Sequence, residues 1–260
     1  MALTPEAQRA AELMADWPTK SQLTPLKLAT GQSALSILIP TALPQISGAI
    51  ILFPEFSQGP AQQGITQYLS TNFPLHGWAV QLLNSPDFDL WGQGLPDATA
   101  WNQAGLLLAS RLQAALDTLS TRGFRNIVLI AQGGSGLALI KELASSPPPA
   151  AVRGIILLAP PLWPEQQPHP IADALPKLNI PVLIEYDHAS LPDQPGCVIC
   201  VRIAAQLHKD MQEYFQPDRN ANFPSSASIV ATTLLNWLDL RAGHVLPVQA
   251  SPDAVGHQVP

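Results

Sequence analysis

Apolar residues are distributed along the chain in two alternating textures. Continuous apolar runs occur at Gly48-Ala49-Ile50-Ile51-Leu52-Phe53, at 77–83, at Asn126-Ile127-Val128-Leu129-Ile130-Ala131 and at Gly154-Ile155-Ile156-Leu157-Leu158-Ala159. Runs of this kind are how strands covered on both faces of a parallel sheet read. Between them lie segments with helical spacing, near 61–71, 99–121, 136–146, 171–177 and 226–240. In the longest of these, Leu106, Leu107, Leu112 and Leu119 supply the apolar side. Gly123 closes that helix and Pro147-Pro148-Pro149 stops the next. Further strands are predicted at 181–186 and 197–203. A hairpin joins Leu26-Lys27-Leu28 to 34–39 across Thr30-Gly31-Gln32. A helix over 5–15 ends before Pro18.

Strands alternating with helices predict an α/β fold, a mostly parallel twisted sheet whose right-handed crossovers place helices on both faces. The expected organisation is an N-terminal helical segment over 1–25, one α/β domain over 26–242 and a polar, Pro- and Gly-containing disordered tail over 243–260. Such sheets bind ligands beyond the carboxyl ends of their strands. The loops at 54–60, 84–98, 132–135, 160–170, 187–196 and 204–222 are therefore where function is expected.

Composition narrows the classes. Apolar residues make up 47% of the 260 positions and charged residues 12%, the reverse of the low hydrophobicity and high net charge that keep a chain disordered. The balance of 13 basic against 19 acidic residues, net −6, leaves no electrostatic footprint for a phosphate backbone, so no nucleic-acid partner is expected. No apolar run approaches the ~18 residues of a transmembrane segment. The first 20 residues lack the apolar stretch of a secretory signal. A soluble chain is expected, cytoplasmic or periplasmic after signal removal. The 27 prolines, about twice the ordinary share, fall mainly in the interelement loops, where they restrict the unfolded chain.

The chemistry is expected at the junction of the 126–131 strand and the helix after it. Strand, sharp turn and helix in that order form the layout of a nucleophile elbow, which reads small-x-nucleophile-x-small because the tight turn excludes larger flanks. Two frames compete. Ala131-Gln132-Gly133-Gly134-Ser135 begins where the apolar strand ends and closes on a small residue, with Gly133 at the tip. Gly133-Gly134-Ser135-Gly136-Leu137 has Ser135 at its centre but closes on leucine. The first frame fits better. It also explains the glycine, because an elbow tip sits at positive φ. The elbow shape would then survive without its hydroxyl, and Ser135 would be a helix N-terminal residue.

Over about residues 26 to 240 the chain resembles a bacterial α/β-hydrolase-like family of unknown function, many of whose members carry a degraded elbow. The resemblance rests on Gly48–Phe53 with Gln58-Gly59-Pro60, on Gly77-Trp78-Ala79 and on Arg111-Leu112-Gln113-Ala114-Ala115-Leu116. It continues through Asn126–Ile130 into the glycine-centred elbow, and ends at Asn236-Trp237-Leu238. The chain departs from the family at Ala131-Gln132, where a Gly-His pair is common. The resemblance implies the α/β-hydrolase-like fold and an oxyanion hole formed at Gly134 and near Phe56, with Gln132 beside it in the cleft. It also implies an acid after the seventh strand, matched by Asp187, and a base after the eighth, for which His208 is the best match. Glu55 is awkward in the hole's loop, since a carboxylate opposes a developing oxyanion.

Two functions follow as expectations. The leading one is a non-catalytic protein that binds a small ligand or a protein partner at the old active-site cleft. The alternative is a serine hydrolase of carboxylic esters using Ser135, His208 and Asp187. Neither needs a cofactor. Asp87, Asp89 and Asp97 in one loop, and Asp187, His188 and Asp193 in another, match no metal template, so no metal is expected. Cys197 and Cys200 lie among Val and Ile and read as strand residues pointing to opposite faces rather than a redox pair. Ser57 reads as a turn residue, and Trp78, Trp91, Trp101 and Trp163 as core.

Overall fold

A computed structural model describes residues 21–56, 64–84, 98–161, 170–186, 211–215 and 223–242. In chain order the elements are β1 (Gln22–Lys27), β2 (Ser33–Ile39), β3 (Gly48–Phe53), α1 (Ile65–Asn72), β4 (Trp78–Leu83) and α2 (Ala98–Thr121). They continue with β5 (Ile127–Gln132), α3 (Gly133–Ser145), β6 (Val152–Leu158), α4 (Pro170–Ala174), β7 (Val182–Tyr186), β8 (Met211–Phe215) and α5 (Phe223–Arg241). The strands form one sheet in the order β1-β2-β4-β3-β5-β6-β7-β8. β1–β2 and β2–β4 pair antiparallel, and every pairing from β4 to β8 is parallel. The mostly parallel α/β sheet read from the sequence is thus the observed architecture.

Period-two alternation divides each central strand between two cores. Ile51 and Phe53 of β3, Leu129 and Ala131 of β5, and Ile155 and Leu157 of β6 face one way. There Trp101, Leu108 and Leu112 of α2, Leu137 and Ile140 of α3, and Ile171 of α4 cover them. Ile50, Leu52, Val128, Ile130, Ile156 and Leu158 face the other way, under Ile65 and Leu69 of α1 and Val230, Leu234 and Trp237 of α5. Trp78 and Trp101 are both core residues. Helix α5 lies close enough that a Cβ on Gly154 would come within 2.7 Å of Trp237 Cη2, so only glycine admits the indole against β6.

Several boundaries differ from the sequence reading. The first strand begins at Gln22, inside the segment expected to be helical, and its register runs Gln22↔Leu38 to Lys27↔Ser33. Pro25 obscures this strand in the sequence. It is tolerated because β1 is at the edge of the sheet, where a missing donor costs least. Helix α3 begins at Gly133, three residues before the expected start at 136, because the turn glycine is itself part of the first helical turn. The strand at the far edge is Met211–Phe215, paired with β7, within a stretch read as loop. Its Gln-Glu centre breaks the apolar run on which the reading relied. The expected helix at 5–15, the strand at 197–203 with Cys197 and Cys200, and the tail all lie outside the described residues. Among the described residues no helix is long and apolar enough to cross a membrane.

Candidate functional site

Strands β3 and β5 are neighbours at the centre of the sheet, and their carboxyl ends build the site. β5 runs into α3 with no intervening loop. Gln132, half-buried, is still extended at φ −97°, ψ 141°, and Gly133 then turns the chain at φ +56°. Positive φ is the conformation that glycine adopts without the Cβ penalty of other residues. Strand, turn at positive φ and helix follow one another in the order expected of a nucleophile elbow, with Gly133 at the turn.

The space beside that tip is filled from β3. The chain leaves β3 at Phe53 and passes through Pro54 and Glu55 to Phe56, whose ring is buried in the core. The Glu55 side chain reaches back over the elbow. A Cβ built on Gly133 would coincide with Glu55 Oε2, so a glutamate carboxylate stands where a nucleophile's side chain would begin. The Gly134 N–H donates to both carboxylate oxygens at 2.9 Å, and the Phe56 N–H donates to Oε1 at 2.9 Å. These are the two backbone donors that the resemblance assigned to an oxyanion hole. The chain's own carboxylate holds both.

Burial pushes the Glu55 carboxyl up from 4.5 to about 7, and the N–H groups of Gly134, Phe56 and Ser135 oppose that rise. Removal from water therefore outweighs the backbone donors that favour the charged form. Near neutral pH both protonation states of the group are populated, whereas an exposed glutamate is almost wholly ionised.

Ser135 is fully buried in the first turn of α3, and its hydroxyl donates to the Pro54 carbonyl at 2.7 Å. Pro54 O and the Glu55 carboxylate thus clamp the β3 loop to the start of α3. Replacing Ser135 by alanine would leave that buried carbonyl without its donor. The expected cost is about 1–2 kcal/mol in urea unfolding, with no change in labelling by serine-directed probes.

The other expected residues are placed by chain order. Asp187 follows β7 directly, as the acid position requires, but it lies outside the described residues, as do His208, His188, Ser57, Asp193 and the 87–97 aspartates. His208 precedes β8, whereas the base position follows the last strand. Between β8 and α5 the sequence is Gln216-Pro217-Asp218-Arg219-Asn220-Ala221-Asn222, with no histidine. At the same sheet end Ala159, just past β6, takes φ +44°, a strained conformation for a residue with a Cβ. Its N–H donates to the Glu185 carbonyl at 2.8 Å, tying β6 to β7. The described residues hold no cluster of three or more His, Cys, Asp or Glu side chains that could bind a metal.

In the sequence Glu55 stands out only as a carboxylate that would oppose a developing oxyanion. Its role as the occupant of the site depends on a contact across 79 residues, Glu55 to Gly134. The available signal was a carboxylate in the oxyanion loop of a chain whose elbow tip is glycine, since each removes an obstacle to the other.

No protein-family model matches the chain, and no curated protein matches it. Solved structures do. An esterase from Pyrococcus furiosus superposes with a TM-score of 0.66 at 10% identity, over 88% of this chain and 97% of that one. A dienelactone hydrolase from Anabaena variabilis gives 0.63 at 15% identity, over 86% and 99%. The esterase domain of a Rhodothermus marinus protein gives 0.60 at 15% identity, over 86% and 100%. With the sheet order, the two helical layers and the elbow, these likenesses establish that the chain has an α/β-hydrolase fold.

Proposed function

We propose that the protein is a non-catalytic member of this fold that binds a small ligand or a protein partner at the cleft above Gly133. The observation that carries this reading is Glu55 lodged over a glycine elbow. Acyl transfer needs a nucleophile at the tip and free N–H donors aimed at the oxygen that becomes negative. Gly133 supplies no nucleophile, and Glu55 uses both donors. An ester oxyanion there would displace a carboxylate from its hydrogen bonds or stand against its charge. The absence of a histidine from the sequence between β8 and α5 points the same way.

The second reading is a serine hydrolase using Ser135 with His208 and Asp187. It asks a hydroxyl already given to Pro54 O, inside a helical turn, to leave its bond and reach the cleft. The esterase and dienelactone hydrolase neighbours keep the reading alive through fold alone. The two diverge in one assay. Purified protein supplied with short acyl esters should show no turnover above the buffer rate, and a serine-directed phosphonate should leave Ser135 unlabelled. Robust turnover abolished by Ser135→Ala would overturn the non-catalytic reading.

A further inference from the structure

We propose that the ligand group received at this site is an organic cation, an alkylammonium or guanidinium head, bound by the ionised Glu55 carboxylate over Gly133. This rests on the non-catalytic reading and names the chemistry of its ligand. The hole of a working hydrolase is a cluster of N–H donors and selects negative oxygen. Here those donors are taken by Glu55 at 2.9 Å each, and a carboxylate stands in their place. The site's selectivity is thereby inverted from anion to cation.

Glu55 makes no ion pair among the described residues, and Arg111 of α2 donates to the Asn84 carbonyl at the end of β4 at 2.8 Å. β5, which leads into the elbow, carries no charged residue. The first turn of α3 is Gly133-Gly134-Ser135-Gly136. Lys141, further along α3, donates to Asn102 at 2.8 Å, and the Glu142 carboxylate lies beside Gly105 of α2. The end of β6 runs through Leu158, Ala159 and Pro160 without a charge. Glu185, fully buried on β7, is two strands from β5 and alternates with Ile184 and Tyr186, so it faces the α1–α5 side. Glu55 therefore has backbone donors and a helix N-terminus, which suffice to position it, but no full positive charge. A carboxylate removed from water gains most from one. Glu55 is only partly buried, so the residue keeps contact with solvent.

The test is a binding titration of the full chain with n-butylammonium, n-butanol and n-butyrate, followed by ligand-observed NMR at about pH 8 and about pH 5.5. With the carboxyl at about 7, the ionised fraction falls roughly thirtyfold between those pH values. Butylammonium affinity is expected to fall by a similar factor. Butanol should bind at least tenfold more weakly, butyrate should not compete, and Glu55→Gln should abolish the ammonium preference at pH 8. Four results would each overturn the proposal: no ammonium binding, equal binding of ammonium and alcohol, preferential binding of butyrate, or an ammonium affinity indifferent to pH. The pH comparison uses the unaltered protein, so it holds even where Glu55→Gln folds poorly. Ester turnover run on the same samples reports separately on the non-catalytic reading.

Discussion

Replacing Gly133 by alanine is expected to be among the most damaging single changes available in this protein. Two costs combine. A residue with a Cβ pays about 1–2 kcal/mol to hold φ in the left-handed region. The added carbon would also coincide with Glu55 Oε2, forcing the carboxylate off the Gly134 and Phe56 N–H groups. Losing hydrogen bonds to a charged group costs about 1.5–3 kcal/mol. Together these give about 2.5–5 kcal/mol, or roughly 5–20 °C in Tm for a chain of this size. The steric part has a specific signature. In a Glu55→Ala background the same Gly133→Ala change should cost only the backbone penalty, about 1–2 kcal/mol. The difference is a coupling energy readable from a double-mutant cycle. Additive costs would mean that the two residues do not meet.

The second large effect is in the pH dependence of stability. The folded Glu55 carboxyl sits at about 7, above its ordinary value of 4.5. Between those values the native state holds a proton that the unfolded chain has released. Stability therefore falls as pH rises through that window and levels off above about 7, because the slope follows protons bound in the unfolded state minus those bound in the native state. Below the unfolded value both states are protonated and this contribution is fully present. A rise of this size corresponds to about 3 kcal/mol, and partial exposure brings it nearer 2 kcal/mol. Urea unfolding of the wild-type protein and of Glu55→Gln across that window would read it. The wild-type curve should decline and the variant's should stay flat by comparison. A wild-type protein that gains stability over the same range through Glu55 would contradict a carboxyl held out of water.

Most of the fold was legible in the sequence because the central strands are apolar at almost every position. β3 and β5 are buried on both faces, and no alternative periodicity competes with such runs. The edges were less legible for a related reason. β1 contains Pro25, and β8 has polar residues at its centre, so each lacks the continuous apolar run that marks the inner strands. At the site, the size pattern of the elbow pointed to a turn at Gly133, where the chain does take φ +56°. Glu55 was visible as a conflict, a charge in a loop meant to stabilise an anion, but not as the occupant of that loop. That it occupies the hole depends on side-chain reach between β3 and α3, which no local pattern encodes. Ser135 illustrates the converse. Its type and spacing suit a nucleophile in one frame, and only burial and the bond to Pro54 O reveal a structural commitment.

The Glu55 carboxylate holds the N–H groups of Phe56 and Gly134, the two donors expected of an oxyanion hole. This arrangement is tested most directly by following the backbone amide resonances of Phe56 and Gly134 through a pH titration, in the wild-type protein and in Glu55→Gln. Both amides should shift together with a common midpoint near 7, as the group accepting their protons gains and loses charge, and neither should titrate there in Glu55→Gln. Amides that ignore pH across this range in the wild-type protein, or that titrate near 4.5 with an ordinary solvated glutamate, would mean that Glu55 does not hold these donors.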